Sequence, residues 1–278
     1  MSSQAIKYKL KSYSTKNNYN HNYTILRFIQ ERYLYRLSIS KYKDNFLLKG
    51  GALIYVYGIE EYRYTRDIDF LLTRLENSHA KMSQIFKEIG DINYPDSVEF
   101  LTEELKISDI QKEGKYKGVR IKIPSQLGNV KEQLQIDIGV GDHVTPGPQQ
   151  ISYPTILTEF DGPKLYAYSI ENSVAEKFEA MISLGEFNSR MKDFYDVYYF
   201  LPKTSSEVLF KAITNTFKRR NTPIIENHPV FDLFFYEDKK RDKRWKVFLD
   251  KNELSELKFS FIHNRLVEYL KPIYDQLK

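Results

Sequence analysis

Two acidic residues inside an apolar strand are the feature that most constrains this chain. Asp67-Ile68-Asp69 opens a run that continues with the apolar residues 70–72, a pattern typical of a largely buried β-strand. Residues two apart in a strand leave the same face, roughly 7 Å apart along the backbone, so the two carboxylates can converge. Burying converging carboxylates unpaired is costly, and a hard divalent cation is a natural partner. The structural alternative pairs Asp67 with Arg66 and lets Asp69 cap a loop.

A third aspartate occurs in a later strand. Residues 133–140 alternate between polar and apolar side chains, which places Asp137 on the face opposite the apolar one. If the two strands are neighbours in one sheet, Asp137 lies beside Asp67 and Asp69. Three clustered carboxylates suit phosphoryl transfer that uses two metal ions about 3.5 to 4 Å apart.

A glycine pair precedes the acidic strand. Gly50-Gly51 separates a short apolar strand over residues 45–48 from a helical run over 52–57. Glycines at the start of a helix can present backbone N–H groups to phosphate oxygens, with help from the helix dipole. The alternative is an ordinary tight turn, which is the commoner meaning of two adjacent glycines.

The rest of the chain predicts a mixed α/β part followed by a helical part. Residues 1–20 are basic and predict a loosely ordered arm or a short docking helix, whereas residues 23–42 have the spacing of an amphipathic helix. The further predictions before residue 165 are a helix over 78–89, strands over 98–107, 118–123, 133–140 and 154–158, and a loop over 141–154. After Ser169, which is a suitable N-cap, the predicted helices cover 170–185, 189–201, 205–217, 230–249 and 254–277.

Composition excludes several kinds of chemistry. The 278 residues contain no cysteine, which rules out disulfides, thiolate nucleophiles and cysteine-ligated zinc, and the five histidines are scattered without a zinc motif. The basic N-terminus lacks the apolar segment of a secretory signal, and no run approaches the roughly 18 apolar residues of a membrane helix. We therefore expect a cytoplasmic protein without a membrane partner.

Six short motifs, in this order, resemble those of the AbiEii/AbiGii nucleotidyltransferase toxins, a family of the DNA polymerase β-like nucleotidyltransferase superfamily. The resemblance spans about residues 45 to 200. The motifs are Leu48-Lys49-Gly50-Gly51-Ala52-Leu53, Arg66-Asp67-Ile68-Asp69-Phe70, Gln135-Ile136-Asp137-Ile138, Tyr168-Ser169-Ile170-Glu171, Ala175-Glu176-Lys177 and Lys192-Asp193-Phe194-Tyr195-Asp196.

The resemblance implies a fold, an activity and partners. The implied fold is α+β, with a nucleotidyltransferase domain of mixed sheet and flanking helices over 1–165 and a helical domain over 166–278 that contributes to the active-site cleft. The implied activity is transfer of NMP from an NTP to an acceptor hydroxyl with Mg²⁺ or Mn²⁺, and some relatives use the 3′ end of tRNA as acceptor. Members are typically toxins of type IV toxin–antitoxin and abortive-infection systems in phage defence, so a cognate antitoxin is the implied protein partner.

The resemblance also implies roles for individual residues. Asp67, Asp69 and Asp137 would bind the metal, with Asp137 also acting as base toward the acceptor. The broader superfamily favours Gly-Ser where this chain has Gly50-Gly51, so the backbone donors would have to suffice for the triphosphate. The residues implied in nucleotide binding are Lys49, Gly50, Gly51, Arg66, Lys177 and Asp196, and Lys177 and Asp193 join the aspartates as catalytic residues.

Lys177 also has independent support from helical periodicity. It falls on the same face as Val174, Phe178 and Met181, so it is aimed inward, either to reach the nucleotide or to extend its ammonium to water along a packed stem. For a catalytic lysine we expect Lys177→Ala to abolish turnover and leave the melting temperature nearly unchanged.

The roles of the two aspartates in the last motif remain open. The sequence does not decide whether Asp193 or Asp196 is the functional acid. A structural alternative for Asp196 is an ordinary i, i+4 pair with Lys192 on one helix.

A basic run near the C-terminus is a candidate RNA-binding segment. Residues 239–246 contain six cations, although such runs are usually solvated helix faces. The candidate RNA-binding residues are Lys239, Lys240, Arg241, Lys243 and Arg244.

Two rival functions of the protein remain. One is nucleotidyl transfer to a small molecule, and the other is a binding module that has lost catalysis.

Overall fold

The computed structural model describes residues 1–58, 63–110 and 118–278 of the chain. These residues form two compact units. The first comprises Met1–Val56, Tyr64–Gly141 and Gln149–Ala167, and the second comprises Asp142–Pro148, Tyr168–Lys278 and the described residues of the segment from Tyr57 to Arg63. The predicted domains over 1–165 and 166–278 stay a prediction.

The first unit is built on one mixed sheet of eight described strands, in the order β3-β5-β6-β2-β1-β8-β7, with β4 also paired to β5. The β2–β6 and β1–β8 pairs are parallel and the others are antiparallel. The strands are β1 (Phe46–Lys49), β2 (Asp67–Leu72), β3 (Val98–Phe100), β4 (Lys106–Ile110), β5 (Gly118–Leu127), β6 (Val130–Val140), β7 (Gln149–Ser152) and β8 (Lys164–Ala167).

The sheet departs from the sequence prediction at one edge. The predicted strand over 154–158 is wrong, and part of the predicted loop over 141–154 is the strand β7. β7 is mostly exposed and lies at the edge of the sheet, paired only with β8 among the described strands, so it lacks the apolar alternation that marks a buried strand. The alternating runs in β5 and β6 do form the predicted strands, and their apolar residues are buried.

Four helices accompany the sheet in the described part of the first unit. They are α1 (Ser3–Lys16), α2 (His21–Ile39), the short α3 (Leu53–Val56) and α4 (His79–Gly90). The N-terminal segment is thus helical, and the Ser2 side chain accepts a hydrogen bond from the Ala5 N–H as its N-cap.

Helix α2 is buried on almost every side rather than amphipathic. Its buried residues include four charged ones, of which Glu31, Arg32 and Arg36 take part in buried ion pairs. Arg36, for example, donates two hydrogen bonds to Asp96, at 2.7 and 3.0 Å, and Arg32 donates to Glu31 at 2.6 Å. The charged residues of α2 therefore do not form the solvated face that an amphipathic helix would have.

The second unit is helical. Ser169 caps α5 by accepting from the Asn172 N–H at 3.1 Å, and Gly185 ends that helix with a φ of 50°. The predicted helix over 230–249 is two helices, because Asp238 caps a new one by accepting from the Lys240 N–H at 2.9 Å. The helices are α5 (Ile170–Leu184), α6 (Met191–Phe200), α7 (Ser206–Arg220), α8 (Leu233–Glu237), α9 (Lys239–Lys251) and α10 (Phe259–Asp275).

The mixed sheet and the accompanying helices make the fold α+β, as the sequence predicts. In the described part of the chain, no helix combines the length and the apolar character needed to cross a membrane.

Candidate active site

The structure brings the three predicted aspartates together on one face of the sheet. Strands β2 and β6 are parallel neighbours, and their register places Asp69 directly opposite Asp137 and Asp67 opposite Gln135. One carboxylate oxygen from each aspartate lies within 4.8 Å of the others. All three side chains are partly exposed, whereas Ile68 and Phe70 on the alternate positions of β2 are buried.

This donor set fits a divalent ion. All three groups offer carboxylate oxygens, which Mg²⁺ and Mn²⁺ prefer, and partial exposure leaves room for the water that Mg²⁺ retains. The carboxylates also come from two adjacent strands inside the sheet, so their backbone is fixed by ladder hydrogen bonds. Asp67, Asp69 and Asp137 are therefore the residues that would hold the metal.

Gly50 packs directly against this cluster. Its φ is 67°, and a Cβ added at Gly50 would lie only 2.1 Å from the Asp69 Oδ2 atom. Both observations require glycine, because other residues resist this backbone conformation and a side chain would displace the carboxylate. The glycine turn therefore shapes the position of Asp69.

The predicted helix after the glycine pair is shorter than expected. Gly50–Ala52 form a single 3₁₀ turn and α3 adds only Leu53–Val56, so the predicted helical run over 52–57 is wrong in length. Any phosphate contact at Gly50 and Gly51 would rest on the turn's own N–H groups rather than on the dipole of a long helix.

We expect Gly50→Ala to destabilise the first unit and to weaken Mn²⁺ binding. Forcing alanine into a positive φ costs about 1 to 2 kcal/mol, and the overlap with Asp69 adds to that cost. Gly58→Ala is the matched control, since Gly58 has a φ of 61° but no described atom lies within 4 Å of a Cβ there. Thermal unfolding and a Mn²⁺ titration compare the two variants, and equal losses would contradict the role assigned to Gly50.

Arg120 is a site residue that the sequence analysis missed. It lies on β5 directly opposite Asp137, donating from Nε to Oδ1 at 2.8 Å and from Nη2 to Oδ2 at 2.6 Å. The hydrogen bonds to Asp137 raise the pKa of Arg120, and the charges of Asp67 and Asp69 add to the effect. The signal was available, because the alternation in β5 places Arg120 on its polar face.

Two further predicted residues lie near the acidic strand. Lys49 is 7% exposed and pairs in register with Asp69, and its Nζ lies 4.0 Å from the position that a Cβ at Gly139 would occupy. The Lys49 side chain thus extends across β2 toward β6, on the face of the sheet that carries the three aspartates. Arg66 is exposed immediately before β2. Their roles in nucleotide binding stay predictions.

In the second unit, Lys177 is the centre of a buried ionic cluster. Its Nζ lies 3.0 Å from Asp193 Oδ1 and 2.7 Å from Asp196 Oδ2, and both aspartates are fully buried. Arg63 donates to the two oxygens of Asp196 at 2.7 and 2.8 Å, and Arg190 Nε lies 2.6 Å from Asp193 Oδ2. Among the described residues, three cations thus contact these two carboxylates.

The cluster keeps its members ionised. Burial would lower the pKa of Lys177, but Asp196 and Asp193 raise it above its ordinary value. Burial likewise would raise the pKa of Asp196, but Arg63 and Lys177 lower it to about 2.

These contacts change three sequence-based expectations. Lys177 does not extend to water. Asp196 pairs with Lys177 and Arg63 rather than making the ordinary helix pair with Lys192, and Asp193 and Asp196 both hold the lysine. The expectation that removing Lys177 leaves the melting temperature unchanged is also corrected, because both carboxylates would lose a buried counter-ion.

A second, partly exposed ionic network surrounds Arg220. Its guanidinium lies 2.6 Å from Glu179, 3.2 Å from Asp142 and 3.5 Å from Glu176. Burial would lower the pKa of Arg220, but these three carboxylates raise it. Glu176, which belongs to the Ala-Glu-Lys motif, thus contacts Arg220 and helps to fix the end of α7 to α5.

The basic segment on α9 is only partly available for binding. Lys239, Lys240, Lys243 and Arg244 are exposed. Arg241 is 3% exposed, lies 3.6 Å from the Phe235 ring centroid, and donates to the backbone oxygens of Phe235 and Glu186. The prediction that Arg241 binds RNA is therefore wrong, since its guanidinium braces the fold.

Comparison with known proteins agrees with what the fold and the acidic cluster indicate, namely a nucleotidyltransferase. Residues 32–265 match the family model described as nucleotidyl transferase AbiEii toxin, type IV TA system. The match covers most of the sequence, and the chain belongs to this AbiEii nucleotidyltransferase toxin family.

Two solved structures share the fold. The crystal structure of JHP933 from Helicobacter pylori has a TM-score of 0.54 at 14% identity, covering 93% of this chain and 94% of that one. A putative nucleotidyltransferase from H. pylori has a TM-score of 0.55 at 14% identity, covering 93% and 97%. At this identity the similarity concerns the fold alone. No curated protein matches the chain significantly.

Proposed function

We propose that this chain transfers NMP from an NTP to an acceptor hydroxyl in the presence of Mg²⁺ or Mn²⁺, and acts as the toxin of a type IV toxin–antitoxin system. The observation that carries the proposal is the meeting of three carboxylates from β2 and β6, within 4.8 Å of one another. Membership of the AbiEii family supports transferase activity and implies an NTP substrate and an antitoxin partner.

The first unit would bind the reacting phosphates. Asp67, Asp69 and Asp137 hold the divalent ions, which when bound neutralise phosphate charge and polarise the attacking oxygen. Gly50 fixes the position of the Asp69 carboxylate, and the turn that it opens offers backbone N–H groups to the triphosphate. Glycine at position 51 supplies no hydroxyl, so this contact uses the backbone alone.

Lys177 is the cation that would contact the nucleotide phosphates. Its buried contacts with Asp193 and Asp196 keep the lysine charged and fix its position. Asp193 and Asp196 both orient Lys177, which makes them positioning residues in this proposal. The role of Lys177 toward the nucleotide rests on the Ala-Glu-Lys motif of the family.

The proposed acceptor is RNA, with the 3′ end of tRNA as the specific candidate. Four exposed cations of α9, namely Lys239, Lys240, Lys243 and Arg244, supply a surface for phosphates, and the chain as a whole has a formal charge of +5. Transfer to a small molecule is the rival, and it requires no such surface.

The proposal is tested by incubating the protein with each labelled NTP, with Mg²⁺, and with either total RNA or a small-molecule extract. We expect one NTP to label an RNA band, and we expect Asp69→Asn to abolish the label. Label that appears only in the small-molecule extract supports the rival acceptor. No label in any mixture, with toxicity intact in the Asp69→Asn variant, would establish the catalytically inactive binding module instead.

Neutralising the four exposed cations of α9 that were predicted to bind RNA should weaken RNA binding. A variant with Lys239, Lys240, Lys243 and Arg244 changed to Gln loses up to four phosphate contacts, so we expect RNA affinity to fall about tenfold or more near 0.15 M salt. The slope of log affinity against log salt should fall by up to about 3 to 4, since each of the four contacts contributes about 0.7 to 0.9.

The control removes as many exposed cations elsewhere in the second unit. Each of these four lies within salt-bridge distance of an acidic side chain, so we expect their loss to matter less for RNA. The control residues are Lys211, Arg265, Lys271 and Lys278. Equal losses of RNA affinity in the two quadruple variants would contradict a specific role for α9.

A further inference from the structure

The third carboxylate of the acidic cluster already has a cationic partner. Both oxygens of Asp137 accept hydrogen bonds from Arg120, at 2.8 and 2.6 Å. The pair is held by the sheet, because Arg120 and Asp137 are direct cross-strand neighbours in the β5–β6 ladder. Asp137 is the more buried partner, with 14% of its side chain exposed against 36% for Arg120.

This geometry places a guanidinium in competition with a metal ion. A divalent ion at Asp137 needs at least one oxygen lone pair that points toward it, and a bidentate guanidinium engages both oxygens of the carboxylate. Arg120 is also a like charge to the ion, and its positive charge reaches Asp67 and Asp69 as well. Arg120 therefore opposes the ion both by occupying a ligand and by repulsion.

We propose that Arg120 is an internal competitor for Asp137 that weakens divalent-ion binding in the free protein. This inference rests on the proposed function, because it takes the three aspartates as the metal site. Arginine also pairs bidentately with phosphate, so the triphosphate of a bound nucleotide offers Arg120 an alternative anion. Release of Asp137 then accompanies nucleotide binding, and the free protein does not retain a full set of ions.

The test is a Mn²⁺ titration of the full chain without nucleotide, in which the free ion is measured by electron paramagnetic resonance. We expect Arg120→Ala to tighten Mn²⁺ binding about tenfold or more, or to add a second bound ion. Lys122→Ala is the matched control, since Lys122 lies two residues along β5 on the same face but is opposite Gln135. We expect it to change the affinity less than twofold.

A double variant separates competition for Asp137 from a general effect of charge. In an Asp137→Asn background, Arg120→Ala should change Mn²⁺ affinity less than twofold, because the competed ligand is already lost. Should Arg120→Ala fail to fold, Arg120→Lys keeps the charge but loses the bidentate geometry, and we expect an affinity between those of wild type and Arg120→Ala.

The outcomes distinguish this inference from the proposed function. Mn²⁺ binding that is the same in Arg120→Ala and wild type, or a gain that persists in the Asp137→Asn background, overturns the role of Arg120 and leaves the metal site intact. Absence of Mn²⁺ binding in wild type and every variant would instead contradict the metal site itself, and the proposed function with it.

Discussion

Asp69→Asn should lower the rate of nucleotidyl transfer by about a thousandfold or more and abolish Mn²⁺ binding. The change keeps the size of the side chain but removes the charge at the centre of the acidic cluster, where Asp69 lies opposite Asp137 and against Gly50. Metal ions stabilise transition-state charge by several kcal/mol, and about 1.4 kcal/mol corresponds to a tenfold change in rate. Single-turnover transfer with labelled NTP measures the loss.

The same variant should melt close to wild type. Removing one of three converging like charges relieves repulsion, but it also removes an attraction to Arg120, so the two effects offset each other and activity falls without a loss of folding. Asp109→Asn is the control, because Asp109 is an exposed acid on β4 that pairs with His79 at 2.7 Å. An Asp69→Asn protein that keeps more than a tenth of wild-type activity would exclude the acidic cluster as the catalytic centre.

Lys177→Met should abolish turnover and also destabilise the protein by about 3 to 5 kcal/mol. The lysine is buried between Asp193 and Asp196, and removing one partner of a buried ion pair leaves the other charge uncompensated. That loss corresponds to a fall of roughly 10 to 20 °C in melting temperature for a unit of this size. Urea and thermal unfolding measure the effect, and Lys192→Met, which removes an exposed lysine of α6, serves as the control.

A double variant tests whether the carboxylates cause this loss of stability. Lys177→Met combined with Asp193→Asn should recover part of the lost stability, because Arg190, the other cation paired with Asp193, is half exposed and can be solvated. The double variant should remain inactive. If Lys177→Met melts like wild type, the ionic cluster contributes little to folding. Lys177 would then act in catalysis alone, as the sequence predicts.

Local periodicity predicted the direction in which the side chains of the candidate site residues point. The alternation in β2 and β6 placed Asp67, Asp69 and Asp137 on one face of each strand, and helical spacing aimed Lys177 inward. These predictions needed only the geometry of a single strand or helix. The assumption that β2 and β6 are neighbours was the one long-range step, and the family resemblance supported it.

The partners of these residues were beyond such reasoning. Arg120 lies 17 residues from Asp137 in sequence, and Arg63 lies 133 residues from Asp196. Periodicity gives the face of a residue but not the strand register or helix packing that chooses its neighbour. The alternation in β5 could have placed Arg120 on the polar face, but the pairing of either arginine with its aspartate required the fold.

Arg241 was mispredicted although its signal was present. Residues 239–246 were treated as one basic surface, yet Arg241, Trp245 and Leu249 recur every four residues and are all buried. This spacing defines the inner face of α9, and an arginine on that face requires backbone acceptors such as those of Phe235 and Glu186. The number of charges in the segment did not reveal this four-residue spacing.

The placement of β2 inside the sheet has a consequence for how such an activity can be restrained. β2 has hydrogen-bonded neighbours on both edges, β1 and β6, so its amides should exchange with solvent only when the whole sheet opens. Partial melting at a frayed end cannot separate Asp67 and Asp69 from Asp137. Fraying at the ends of the sheet is therefore not expected to inactivate the proposed site, and an inhibitor would have to act on the folded sheet.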